Sequence, residues 1–530
     1  MKRAFWLVLL LAGALTTLTL ALAMPVRAPA ATAVERVAVW LTTGDQSSKL
    51  QPSHATFSPG TGSHPLQIQV NENVTYQQTD GFGAALTVSA AWLISATLNA
   101  TQTQALMNKL FSPVEGIGIS YLRLPMGASD FVTSTHYTYG DMPLGEIDPD
   151  LDFFSIAHDQ AYIVPLLRQA RRINPQLKLM GSPWSAPAWM KSPETLYGGS
   201  LQPGNHRAYA DYFVQFIQSY KAEGIPVHAI TIQNEPHHTS TTYPTMWMEA
   251  EQQAEFVRDH LGPALAGAGI TDTKVLVWDH NWDEPSYPIE VLNDAVARAY
   301  VAGSAWHCYA GTPAAQTSVL EAHPDKEIYF TECTGGEWDT DWASVLVWNF
   351  QNLFIGATRH GAKTVLLWNL ALDENHGPHN GGCDDCRGVV TVHCDSGAVD
   401  YNVEYYAIGH LGKFVDPGAY RIESGHVPGT LESVAFQNPD RSIVLVVLNP
   451  GDSSTLFDVL WDGQHFPYSL DPQSVVTFKW NVGRIYLPLV LRAYRPPIPF
   501  SVSIQRSFAL RQPFDALRTR LRASLKPTSN

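Results

Sequence analysis

Two glutamates hold the chemistry that this sequence offers. Glu235 closes Ile232-Gln233-Asn234-Glu235, after the apolar run Val227-His228-Ala229-Ile230-Thr231-Ile232. Glu332 follows Glu327-Ile328-Tyr329-Phe330 and stands just before Cys333. Each run has the branched and aromatic residues of a strand, and each stops at a carboxylate. A (β/α)8 barrel places its chemistry at the C-terminal ends of its strands. Two carboxylates facing one sugar can cut a glycosidic bond, and a separation of ~5 Å marks the retaining route. Each residue alone also has a plain structural reading. Glu235 can cap the next helix, and Glu332 can lend a favourable charge to a helix N-terminus. Pro236 cannot donate to a strand ladder and so ends the first run. Asn234, beside Glu235, offers an amide to a sugar hydroxyl.

The surrounding pattern supplies the frame that such a pair needs. Eight short strand candidates start near Gly81, Ile117, Leu177, Ala229, Lys274, Ser304, Ile328 and Thr364. Helical stretches such as residues 206–223 and 249–265 separate them. Alternating strands and helices indicate βα units, and eight of them close a barrel. Glu235 and Glu332 then belong to strands four and seven, across the barrel mouth from each other. The chain ends read differently. Val37-Ala38-Val39-Trp40-Leu41 and Leu66-Gln67-Ile68-Gln69-Val70 are strand-like near the N-terminus. Ser442 to Leu448 and Ser474 to Phe478 are strand-like near the C-terminus. The expectation is α/β: a (β/α)8 TIM barrel over residues 79–402, with an all-β sandwich built from both chain ends, 34–78 and 403–482.

Composition narrows the class. With 530 residues, 45% hydrophobic and 16% charged, the chain is globular and large enough for a barrel plus a smaller domain. Its net charge of −15 argues against nucleic acid as a partner. Five cysteines are too few for a disulfide scaffold. Lys2 and Arg3 precede an apolar run over residues 4–23, and Ala21-Leu22-Ala23 and Ala31-Thr32-Ala33 are small-residue cleavage patterns. Residues 1–33 therefore read as a signal peptide cut after 23 or 33, and the protein as secreted. The rival is an uncleaved anchor, since about 20 apolar residues suffice to span a bilayer. Residues 483–530 form a basic tail, with nine Lys or Arg against the single acid Asp515. It reads as a disordered or solvated segment, or as one that contacts an anionic surface.

Further motifs run along the chain. They include Thr79-Asp80-Gly81-Phe82-Gly83-Ala84, Arg123-Leu124-Pro125-Met126 with Ser129-Asp130-Phe131, and Gly181-Ser182-Pro183-Trp184-Ser185-Ala186-Pro187. Asn234-Glu235-Pro236, Trp306-His307-Cys308-Tyr309, Thr331-Glu332-Cys333 and Trp368-Asn369-Leu370 follow in order. In this order the set resembles glycoside hydrolase family 30, the group that contains glucosylceramidases, over roughly residues 34–482. The resemblance implies that Glu235 is the general acid/base and Glu332 the nucleophile. It places Asp130, Trp184, Asn234, Tyr309 and Trp368 around the terminal sugar, with Arg123 and His307 in support. No metal and no other cofactor is implied. The implied activity is a retaining β-glycosidase acting on β-glucosides, with a glycoside or glycolipid substrate. Glucosylceramide-type hydrolysis is the leading expectation. A β-1,6-glucanase, then a β-xylosidase or β-fucosidase, are the alternatives. A non-catalytic carbohydrate-binding surface protein is the reading from a different class. Thr87-Val88 departs from the Thr-Asp that many relatives carry.

Cys383-Asp384-Asp385-Cys386, with His393 and Cys394 nearby, has part of a zinc-site spacing. A disulfide or a free pair is the favoured expectation, pinning the loop after strand eight. Cys308 and Cys333 are expected to be buried and unpaired.

Overall fold

The computed structural model describes residues 36–482. The expected leader and basic tail lie outside the described residues.

Eight parallel strands close into a barrel. In chain order they are β1 Gly81–Ala85, β2 Tyr121–Pro125, β3 Lys178–Ser182 and β4 Ala229–Thr231. Then come β5 Lys274–Asn281, β6 Val301–His307, β7 Glu327–Glu332 and β8 Ala362–Leu367. Closure is made by β8 against β1, with Thr364 opposite Gly81. Nearly every position in these strands is buried. Helices cover their outer faces and side chains fill the inside, so they read as apolar runs rather than alternating ones. Tyr121, Met180, Ala229, Leu276, Ala305, Tyr329 and Leu366, one from each of β2 to β8, pack into a separate apolar layer.

Three strand starts shift: β6 begins at Val301 rather than Ser304, β8 at Ala362 rather than Thr364, and β2 moves furthest. The second strand was expected near Ile117 but begins at Tyr121. Gly118 turns the chain at φ 67°, and the amides of Ile117 and Ile119 bond the carbonyls of Lys109 and Leu110 at the end of the preceding helix. The fourth strand spans only Ala229–Thr231, so Glu235 stands on a loop beyond it.

The sandwich forms from both chain ends, as the sequence indicated. Its order is 51–56, 36–42, 474–480, 443–449, 432–437, 420–424, 67–78, 455–461, 464–470 and 58–59. The twelve-residue strand Gln67–Gln78 joins its two layers. Its first residues pair with Asp458–Leu460, and its later ones with Tyr420–Ser424. Ile443–Asn449 is buried throughout, and its alternation explains why. Ile443, Leu445 and Val447 face the sandwich core, while Val444, Val446 and Leu448 join the large core that includes the barrel. The helix Val403–Gly412 also belongs to that core, so the sandwich strands resume only at Tyr420. His410 in this helix bonds Thr42 and Thr477, each at 2.8 Å, which ties both chain ends to the barrel.

Candidate active site

β7 ends on Glu332. Glu235 is held by its loop rather than by its strand. Its φ is 48°, a left-handed conformation that costs a non-glycine residue about 1–3 kcal/mol. The loop is fixed by the Asn234 amide on the Pro183 carbonyl (2.8 Å) and the Glu235 amide on the Asp279 carbonyl (3.0 Å). A carboxylate oxygen of Glu235, one of Glu332 and a ring nitrogen of His307 all lie within 4.8 Å of one another. That proximity matches the retaining geometry, in which the carboxyl groups stand ~5 Å apart. The same donor types would suit a metal ion, but Arg123 already pairs with Glu332.

One buried anion organises both glutamates, and the sequence did not single it out. Asp279, near the end of β5, accepts from Arg123 Nη2 (2.7 Å), the hydroxyls of Ser182, Thr231 and Thr331 (2.7 Å each) and His307 Nε2 (3.1 Å). Arg123 reaches on to Glu332 through Nη1, and His307 reaches on to Glu235 through Nδ1 at 3.0 Å. Asp279 is thus one residue removed from each carboxylate. Its own φ is 71° and that of Trp278 is 73°, where the β5–β6 register shifts. The bulge re-aims the side chain toward the barrel mouth, a common use of bulges beside active sites. A bulge leaves no periodic trace in the sequence, so no pattern there marks Asp279.

Electrostatics follow from this wiring. Burial works against charge on Asp279, yet Arg123 and His307 outweigh it and hold the carboxyl far below its usual range. Burial likewise opposes charge on His307, but Glu332, Asp279 and Glu235 hold its imidazole up at about 9. The hydrogen bond from His307 then draws Glu235 down despite burial. For Glu332, burial raises the carboxyl, with His307 and Arg123 opposing. Tyr309 donates its hydroxyl to Glu332 Oε1 at 2.9 Å, giving the ionised form a second donor. Between these two groups the proton therefore belongs to His307, hydrogen-bonded to Glu235.

The expected sugar-side residues converge here. Asp130, Trp184, Asn234, Tyr309 and Trp368 line one cavity of about 520 Å³ with both glutamates. Trp184 and Trp368 stack at 5.1 Å, and the Arg123 guanidinium stands 4.8 Å from the Trp184 ring. Asn234 accepts from Arg123 at its oxygen (2.7 Å), which leaves its amide nitrogen to donate. Asp130 is buried, and burial with the charges of Glu332 and Glu235 pushes its carboxyl up to about 7. Gly382, at φ 69°, lies so close to it that a Cβ would meet the carboxylate at 2.2 Å. His238, Tyr243 and Trp338 also line the cavity, and sequence patterns did not indicate them. Thr87 caps the short helix Val88–Trp92 and bonds Asn369 at 2.9 Å.

The cysteines answer differently in the two places. Cys383 and Cys386 form a disulfide that borders the cavity, and Cys394 is free and exposed. The expectation that Cys308 and Cys333 are unpaired is incorrect: they form a disulfide. Adjacent barrel strands bring the ends of β6 and β7 together, so residues just past each end fall within bonding reach.

The barrel, its mouth-facing carboxylate pair and the sandwich define a glycoside hydrolase with a carbohydrate substrate. The chain belongs to glycosyl hydrolase family 30: the profile of that family's TIM-barrel domain matches residues 79–415, and that of its beta sandwich domain matches 418–478. An endo-1,6-beta-D-glucanase of Aspergillus fumigatus is 35% identical over 467 residues, covering 82% of this chain and 91% of that protein. The lysosomal acid glucosylceramidase of Mus musculus is 30% identical, covering 80% of this chain and 84% of that protein. A solved endo-beta-1,6-glucanase superposes with a TM-score of 0.79 and 33% identity, covering 84% of this chain and 99% of its own.

Proposed function

We propose that this protein is an exported, retaining β-1,6-glucanase. The observation that carries the linkage is the likeness to endo-1,6-beta-glucanases, in sequence at 35% identity and in structure at 33%. The glucosylceramidase relative is less similar, at 30%, so the leading expectation from sequence gives way to its first alternative. In this reading Glu332 attacks the anomeric carbon, and Glu235 protonates the departing oxygen. The proton it delivers crosses the 3.0 Å from His307. Glu235 then accepts a proton from the water that releases the sugar. Trp184 and Trp368 offer apolar faces to the ring held between the carboxylates, and the free amide of Asn234 meets a hydroxyl. Export rests on the signal-like N-terminus, and two disulfides among the described residues fit an oxidising compartment. For the basic tail we retain contact with an anionic surface.

The test is hydrolysis of pustulan, a β-1,6-glucan, beside a β-1,3-glucan, an aryl β-xyloside and glucosylceramide. Release of soluble β-1,6-linked oligosaccharides is expected. Turnover of glucosylceramide without action on pustulan would overturn the linkage.

A further inference from the structure

A second hollow of about 340 Å³ opens beside the catalytic cavity. The two share Tyr309, Thr334 and Trp338 as lining, so one leads into the other. Its floor includes the Cys308–Cys333 disulfide, and Trp348 forms another part of its lining. Three large aromatic side chains stand exposed along this path: Tyr309 at 44%, Trp338 at 58% and Trp348 at 42%. Scattered exposed aromatics need no explanation, but a run of them leading from a catalytic carboxylate does.

The platform is built rather than incidental. The Trp338 ring lies against Gly336, where a Cβ would come within 2.0 Å of it. Gly335 and Gly336 pair with Arg387 and Cys386 as a small antiparallel ladder, and the Glu337 amide bonds the Asp385 carbonyl at 2.9 Å. Arg387 in turn pairs with Glu404 at 2.8 Å. A loop held this way loses little entropy when a ligand stacks on it. Asn349 also lines the hollow. It is only 5% exposed, and its Nδ2 is occluded with no hydrogen-bond partner. A buried amide nitrogen without a partner calls for an acceptor, and a turn of this side chain presents it to a ligand in the hollow.

We propose that this hollow is a further glucosyl-binding subsite, in which a sugar ring of the glucan stacks on Trp338 and Trp348 and accepts a hydrogen bond from Asn349. The assignment rests on the β-glucanase reading above. A sugar supplies both an apolar C–H face for the indoles and an oxygen for the amide, whereas an alkyl chain supplies only the first. The subsite lies beyond the two carboxylates, so it acts on chains longer than the piece held between them.

The experiment compares kcat/KM on β-1,6-linked gluco-oligosaccharides of two to six residues, and on β-glucosides with short and long alkyl aglycones, for the wild type, Trp338→Ala, Trp348→Ala and Asn349→Leu. In the wild type the value rises with chain length. In Trp338→Ala the ratio of the longest to the shortest substrate falls by about tenfold, the equivalent of roughly 1.4 kcal/mol. Trp348→Ala and Asn349→Leu lower the same ratio. Asn349→Leu keeps a normal melting temperature, because the amide it removes has no internal partner. An unchanged ratio in all three variants of an enzyme that still degrades β-1,6-glucan overturns the subsite and leaves the linkage standing. A wild type inactive on every β-1,6-linked oligosaccharide overturns the linkage first, and the sugar assignment with it. A loss confined to glucosides with long alkyl aglycones assigns the hollow to a lipid tail and overturns the proposal.

Discussion

At the scale of single residues, charge placement decides what the site can do. Asp130 is buried beside two other carboxylates, an arrangement that the backbone amides of Asp130 and Cys383 relieve in part and a hydrogen-bonding ligand relieves further. Asp130→Ala should lower kcat/KM at least about a hundredfold, since a charged hydrogen bond to substrate contributes ~2–4 kcal/mol. Near-normal turnover in that variant would remove Asp130 from the sugar site. His307 makes a sharper prediction. Its pKa is raised to about 9, so its proton is present through neutral pH and lost as pH rises through that value. The alkaline limb of kcat/KM should therefore fall near 9, with Glu235 and His307 titrating as a pair. Fold stability should decline as pH rises from about 6.5 to about 9, because a raised histidine stabilises fully only below its unfolded value of about 6.5 and no longer above its folded one. In His307→Gln, Glu235 must hold its own proton and the limb should move to lower pH. An alkaline limb that stays in place would show that the proton does not come from His307.

At the scale of elements, most of the frame was legible and the reasons are specific. β3, β4, β5 and β7 begin within a residue of the expected starts, because buried parallel strands are short apolar runs bounded by turns. β2 misled because Ile117 and Ile119 are just as apolar, though their amides serve a helix end. Glu332 was readable as the last residue of its strand, and Glu235 as the residue before a proline. Asp279 was not, because a bulge carries it inward. The Cys308–Cys333 bond was not, because their sequence separation of 25 says nothing of strand adjacency. That bond secures Tyr309 beside Glu332, and the Cys383–Cys386 bond borders Asp130. Loop-closure entropy gives the longer link roughly 3.5 kcal/mol and the shorter one about 2. The Cys308→Ser, Cys333→Ser double variant should thus lose more thermal stability than Cys383→Ser, Cys386→Ser. It should also lose kcat through a loosened Tyr309–Glu332 contact. Equal melting temperatures for the two double variants would contradict this ranking.

At the scale of the whole molecule, one face of the sandwich joins the core that includes the barrel, through Val434 and Phe436, Val444, Val446 and Leu448, and Val475 of three neighbouring strands. The last sandwich strand, Ser474–Trp480, lies between Arg36–Thr42 and Ile443–Asn449, so the described fold is closed by Trp480. A chain ending at Val482 should keep its melting temperature and its kcat/KM on a soluble aryl glucoside. Loss of folding on that truncation would mean that residues beyond 482 complete the sheet. If the basic tail meets an anionic surface, the full-length protein should bind anionic vesicles in a salt-sensitive way that truncation abolishes. The central claim is that Glu332 forms a covalent sugar intermediate which Glu235 helps to form and to resolve. Its most direct test is the Glu235→Ala enzyme supplied with an activated aryl β-glucoside and azide, with the product's anomeric configuration read by NMR. Azide should restore turnover and yield the β-glucosyl azide, because two inversions return the starting configuration. An α-glucosyl azide from this variant, or no response to azide, would contradict the account.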